Sequence, residues 1–195
     1  MIEPILKALH QRPDTHMIAI AGIPGSGKST LAREIASRIP SAVVLPMDGY
    51  HLPRAKLSPS DLARRGAPHT FDPVSLRRDL ASLKELKTGS FPAFDHAVKD
   101  PEPDAIRVTR RHRLVIVEGL YLLLGAWNLT PLFDLTLFVD CDLDKAMARV
   151  ARRHVVSGIA TDSGDAQRRI ASNDRLNAMI ILEDGCRERA DHVLS

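Results

Sequence analysis

Residues 22 to 29 read Gly22-Ile23-Pro24-Gly25-Ser26-Gly27-Lys28-Ser29, the spacing G-x-x-x-x-G-K-[ST]. These residue types at this spacing can hold a polyphosphate. Glycines let successive backbone N–H groups turn toward one anion, where a Cβ would obstruct them. Lys28 can reach the β- and γ-phosphates of a nucleotide, and the Ser29 hydroxyl can ligate Mg²⁺. Thr30 follows in the opening turn of a helical pattern, whose unpaired amides and dipole add to the anion site. Residues 22–30 are therefore expected to bind ATP with Mg²⁺.

Two carboxylates bear on the same chemistry. Asp48 and Glu118 each follow an apolar run, so in a parallel sheet both face the phosphate loop from one edge. There a carboxylate can hold Mg²⁺, directly or through water, or take the proton of an acceptor hydroxyl. The plainer alternative is a helix cap or a solvated side chain. Lys145, Arg149, Arg152 and Arg153 fall on one face of a helical pattern, opposite Met147, Val150 and Ala151. That stripe is either the solvated side of the helix or a lid whose arginines stabilise a transferring phosphoryl group. His51, His69 and His96 are not at metal-ligand spacing. They lie in polar stretches between the strands, where the choice is between surface residues and substrate contacts.

The elements that must position these groups follow from periodicity. Apolar runs at Met17–Ala21, Ala42–Met47, Leu114–Val117 and Leu135–Val139 read as buried strands, with a short final strand at His192–Leu194. Helical spacing recurs at Ile2, Ile5, Leu6 and Leu9, then at Leu31, Ile35 and Ile39 before Pro40, and at Leu76, Leu80 and Leu83. Further helices are expected from Asp142 to about Val155 and over residues 164–184. Ser58-Pro59 and Asp72-Pro73 mark helix starts. Residues 90–104 carry four prolines and read as an irregular, ordered excursion near the site. Alternating strands and helices give an α/β protein, with a mostly five-stranded parallel sheet covered by helices on both faces.

Composition excludes several classes. At 195 residues the chain fits one domain, and 44% hydrophobic with 26% charged residues is ordinary for a globular protein. A net charge of +3 suits acidic substrates, but the basic residues are scattered and aromatics make up only 4%, against nucleic acid as a partner. Cys141 and Cys186 form no C-x-x-C pair and suggest neither a disulfide framework nor a zinc site. No apolar run approaches a membrane span, so a cytoplasmic protein without a membrane partner is expected.

The phosphate loop followed in order by PMDGYHL, RRGAPHTFD, FPAFDHAVKDP, VIVEGLYLLL and RVARRH resembles the phosphoribulokinase/uridine kinase family of P-loop kinases. Within it, the chain resembles bacterial nucleoside/nucleotide kinase-like proteins and those called fructose transport system kinases. The resemblance runs from about residue 17 to the end. It implies a three-layer P-loop NTPase fold and a single kinase domain over residues 1–195, with an acceptor-binding insert at about 50–110 and a lid at about 145–165. It implies Asp48 as general base and Glu118 as a partner of Ser29 in holding Mg²⁺. By segment, it places Asp72 and His96 with the acceptor and Arg149 and Arg152 in the lid, while His51 lies in the insert. The Asp48-Gly49-Tyr50-His51 run differs from the Asp-x-Phe-Tyr of uridine kinases. The function expected is transfer of the γ-phosphoryl of ATP to a hydroxyl of a small molecule such as a sugar or nucleoside. The alternative is a nucleotide-binding NTPase or regulator that has no such acceptor. A homodimer is compatible with either.

Overall fold

The computed structural model describes residues 2–95 and 97–195; Met1 and His96 lie outside the described residues. The first half of the chain forms α1 (Ile2–Gln11), β1 (Met17–Ala21), α2 (Lys28–Arg38), β2 (Ala42–Pro46), α3 (Pro59–Ala63) and α4 (Pro73–Leu86). A hairpin of β3 (Gly89–Asp95) and β4 (Asp100–Val108) follows, then β5 (Leu114–Gly119) and β6 (Leu135–Val139). The chain closes with α5 (Leu143–Val156), α6 (Ser163–Arg169), α7 (Arg175–Glu183) and β7 (His192–Leu194).

The sheet runs β2-β5-β1-β6-β7, and every neighbouring pair is parallel. Successive strand residues point to opposite faces, and both faces are covered. Met17, Ala19 and Ala21 of β1, with Val115 and Val117 of β5, pack toward Leu76, Leu80 and Leu83 of α4 and Val150 of α5. Ile18 and Ile20, with Leu114 and Ile116, pack toward Leu31 and Ile35 of α2 and Ile2 and Ile5 of α1. Three layers result: helices, sheet, helices. Continuous apolar runs were the correct signal for these strands, because neither face meets water.

Register then sets the site. Glu118 pairs with Ile20 on one side and Pro46 on the other, two residues before the turn that carries Asp48. Both carboxylates therefore stand at the C-terminal edge of the sheet, next to the loop that leaves β1.

Two expectations are corrected. Residues 90–104 are not irregular: they belong to the antiparallel β3–β4 ribbon. The register shifts between Phe91 and Ala93, at Pro92. In a two-stranded ribbon each strand has an outer edge, where a missing N–H does no harm, so prolines there did not argue against strand. The helix expected over 164–184 is divided, because Ile170–Asp174 is wound as a π-helix between α6 and α7. No propensity marks that winding. The signals at Ser58 and Asp72 hold: Ser58 and Asp61 form a capping box, and the Asp72 carboxylate accepts from the Ser75 amide at 3.0 Å.

The ribbon lies against the 3₁₀ turn Met47–Tyr50. A Cβ built on Gly49 would stand 2.2 Å from the Pro92 carbonyl oxygen. Gly49→Ala must therefore push the ribbon away from the turn that holds Asp48. Overpacking of this kind is expected to lower stability by about 1–3 kcal/mol. Thermal melts should show the loss, and hydrogen exchange should show it concentrated in residues 89–108.

Candidate functional site

Gly27 caps α2 with φ of 103°, a backbone state open to glycine at little strain, and no side chain satisfies the first-turn amides. A Cβ there would meet nothing within 4 Å, so the loop opens onto free space. Ser26 Oγ is buried and has no hydrogen-bond partner among the described residues. Uncapped amides, an unspent hydroxyl and open space together fit a phosphate group.

Lys28 follows the cap. Its side chain is densely surrounded, and desolvation pulls its pKa below the ordinary lysine value against the opposing pull of Glu118 and Asp48. Burial likewise pushes Glu118 above the usual carboxylate range, while Lys28 draws it back. Ser29 Oγ donates to Glu118 Oε2 at 3.0 Å. Among the described residues no three His, Cys, Asp or Glu side chains are arranged to hold a metal ion by themselves. Ser29 and Glu118 nevertheless form a hard oxygen pair beside the phosphate loop, the donor type Mg²⁺ takes when phosphates and water complete its shell.

A cleft of about 410 Å³ joins these groups to the insert. Lys28, Ser29, Asp48, His51 and Glu118 all line it, as does Pro24 of the loop. His51 lies flat on Phe71, ring centroids 3.9 Å apart, and its buried Nδ1 has no hydrogen-bond partner. Asp72 stands elsewhere: its carboxylate caps α4 and its amide donates to the Tyr50 carbonyl at 2.8 Å. His69 pairs with Asp61 at 3.4 Å. Arg149 reaches the phosphate loop from α5, Nη1 donating to the Gly25 carbonyl at 3.3 Å. Arg152 turns toward a surface hollow beside Val155, Val156 and Ser163, whereas its neighbour Arg153 lines the cleft.

Several lining residues were not singled out from the sequence. Arg54 and Arg65 come from the insert, and Lys99 from the β3–β4 turn. Arg169, Asn173, Asp174 and Asn177 come from the helix with the π turn. A signal existed for two of them. Asn173 and Asn177 share a helix face with Ile170 and Ile181, and buried amides on an apolar face imply partners. They find them: Asn173 Nδ2 donates to the Arg65 carbonyl at 2.9 Å, and Asn177 Nδ2 to Asn173 Oδ1 at 3.3 Å.

His51 also gives a pH dependence. Burial, opposed by Asp48, holds its pKa below the ordinary imidazole value of 6.5. Such a base binds fewer protons folded than unfolded, so stability is lost as pH falls through 6.5. His51→Phe keeps a ring on Phe71 and removes the titration. The drop in melting temperature between pH 7.5 and pH 5.5 should be smaller in that variant than in the parent.

Comparison with known proteins agrees with this geometry. Residues 17–163 match the model of the phosphoribulokinase / uridine kinase family. An Aspergillus versicolor protein named ATP-dependent kinase-like protein notR' is 42% identical over 151 residues, 71% of this chain and 88% of that one. A Schizosaccharomyces pombe protein, provisionally named uridine kinase C227.14, is 37% identical over 85% of this chain and 77% of its own. A crystal structure from Silicibacter sp. TM1040, of a protein provisionally named a fructose transport system kinase, superposes with a TM-score of 0.88 at 30% identity. It covers 100% of this chain and 99% of that one. The three-layer architecture is that of P-loop kinases, and the chain belongs to the phosphoribulokinase/uridine kinase family.

Proposed function

We propose that the protein is an ATP- and Mg²⁺-dependent phosphotransferase that moves the γ-phosphoryl group of ATP to a hydroxyl of a small molecule. One observation carries the reading. A single cleft is lined at one end by Lys28, Ser29 and Glu118, and at the other by insert residues Arg54, Arg65 and Phe71, with Asp48 and His51 also in its wall. An NTPase acting on water alone has no use for that second end.

In this reading the loop amides and Lys28 bind the phosphates, and Ser29 with Glu118, and Asp48 nearby, would hold Mg²⁺. That ion supplies charge neutralisation on the phosphate oxygens when bound. Asp48 accepts the acceptor's hydroxyl proton as the acceptor oxygen bonds to the γ-phosphorus and the bond to the ADP oxygen breaks. Arg149 and Arg153 approach from α5, one bonded to the loop and one in the cleft, where their charge offsets that of the moving phosphoryl group. His51 and the ring beneath it form the acceptor wall. The helix from Leu143 onward serves as the lid, and residues 50–110 as the acceptor-binding part of one kinase domain.

Lys28→Ala removes the cation that faces the β- and γ-phosphates, so ATP binding or turnover should fall severely. Equal affinity and equal turnover would end the assignment. Asp48→Asn should lower kcat with the true acceptor by about 100-fold or more while the ATP Kd stays within a few-fold. Background ATP hydrolysis should fall less, because water rather than the acceptor hydroxyl is attacked. If hydrolysis vanishes in the variant and no alcohol ever stimulates the parent, the NTPase reading replaces this one. If ATP·Mg²⁺ affinity falls together with the rate, Asp48 serves the metal and not the proton.

A further inference from the structure

The cleft contains more positive charge than a nucleotide site needs. Lys28, Arg54, Arg65, Lys99, Arg153 and Arg169 line it against three carboxylates, Asp48, Glu118 and Asp174. Lys28 and Arg153 feel each other's charge, and both belong with the nucleotide phosphates. The other four cations lie on insert, hairpin turn and α6, where ATP gives them no partner in the reading above.

Arg65 shows the surplus in atomic detail. Its side chain is only 13% exposed. Nη2 donates to the Leu52 carbonyl at 3.1 Å and to Asp100 Oδ1 at 2.9 Å. Nε and Nη1 are buried without a hydrogen-bond partner. One N–H on Nε and two on Nη1 leave three of the five guanidinium donors unspent. A buried charged donor without a partner is costly, so a guanidinium kept in this state is one that gains a partner when ligand arrives. Asp100 does not fill that role: it stays 32% exposed, and the oxygen facing Arg65 also accepts from the Arg54 amide at 2.9 Å. Arg169 repeats the pattern with a buried, unpartnered Nε. Between Asp48 and Arg65 stands His51, which feels the charge of both and also has an unspent ring nitrogen, Nδ1.

We propose that the acceptor is an anion. Its hydroxyl lies at Asp48, and a phosphate monoester or carboxylate on the same molecule accepts hydrogen bonds from Nε and Nη1 of Arg65. The proposal rests on the kinase reading and narrows it, setting neutral sugars and free nucleosides aside. Arg65 is then the residue that determines specificity, and Asn173 positions it through its backbone carbonyl.

The test begins with full-length protein saturated with ADP and Mg²⁺, so that the phosphate loop is already filled. Radiolabelled inorganic phosphate is titrated in by equilibrium dialysis, with acetate as competitor in a parallel arm. One saturable phosphate site per chain is expected, weakened about tenfold or more in Arg65→Gln, since a charge-assisted hydrogen bond is worth on the order of a tenfold change or more. Stronger competition by acetate than by sulfate would assign the carboxylate, and the reverse the phosphate monoester. Phosphate bound equally by parent and variant is an adventitious anion, and overturns the proposal. So does the absence of any saturable phosphate site.

Turnover supplies the second readout, with alcohols offered in neutral and anionic pairs: glycerol against glycerol phosphate and glycerate, ribose against ribose phosphate. Anionic members should be preferred, with the acceptor KM raised in Arg65→Gln and the ATP KM unchanged. Preference for the neutral member overturns the proposal while leaving the kinase reading intact. Failure of ADP to bind at all would instead strike the kinase reading. Since Arg65→Gln also loses the Asp100 pair, Arg65→Lys serves as the second variant. It keeps the charge without the fork, so anion binding should weaken while the melting temperature stays near that of the parent.

Discussion

Lys28 and Glu118 are taken out of water side by side, and the rest of the site is arranged around that burial. Each is shifted against its charged form by desolvation, and each is partly restored by the other. Such a pair is weak evidence for stability, because desolvation offsets much of the attraction. Its value is positional. Glu118 is fixed by the register of β5 between β1 and β2, and Lys28 by the glycine-capped start of α2. The hydrogen bond from Ser29 joins the two elements. A binding site is thus built where sheet and helix are held by the core on both sides.

The second constraint joins the insert to the C-terminal helices. Arg64 Nη1 donates to the Ser172 carbonyl at 2.5 Å, Asn173 donates to the Arg65 carbonyl, and the Tyr121 hydroxyl donates to the Gly66 carbonyl at 2.6 Å. Three contacts to consecutive residues leave the 64–66 backbone little freedom. The acceptor side of the cleft therefore moves with the helix that carries Arg169 and Asp174, so closure of one is coupled to the other.

Much of this was legible in the sequence because it rests on local rules. The phosphate loop is defined by spacing, the strands by unbroken apolar runs, and Ser58 and Asp72 by capping chemistry. Asp48 and Glu118 followed from topology alone, since strand ends in a parallel sheet share an edge. What was not legible depends on distant partners. Nothing in residues 90–104 states that Pro92 sits at a register shift, and nothing near Arg65 states that its donors are buried. The α5 stripe is an instructive case. Its periodicity places Arg149, Arg152 and Arg153 together, yet one bonds the loop, one faces a surface hollow and one enters the cleft. Helical spacing assigns a face, but not which part of that face meets the neighbouring element.

The π turn at Ile170–Asp174 has an evolutionary consequence. A π turn accommodates one residue more than an α turn, and usually marks an inserted residue that was retained. Loss of any one residue between 170 and 174 would restore an unbroken α-helix and rotate everything beyond it by about 100°. Asn177 would swing away from Arg64, which now donates to it at 3.3 Å, and Ile181 would leave the core. Arg169 could then no longer share the cleft with Asn177. Side chains here can be exchanged one at a time, but the number of residues cannot. In descendants of this sequence, gains and losses of length should be absorbed by stretches such as the exposed 156–159 turn, while the count from Arg169 to Asn177 stays fixed.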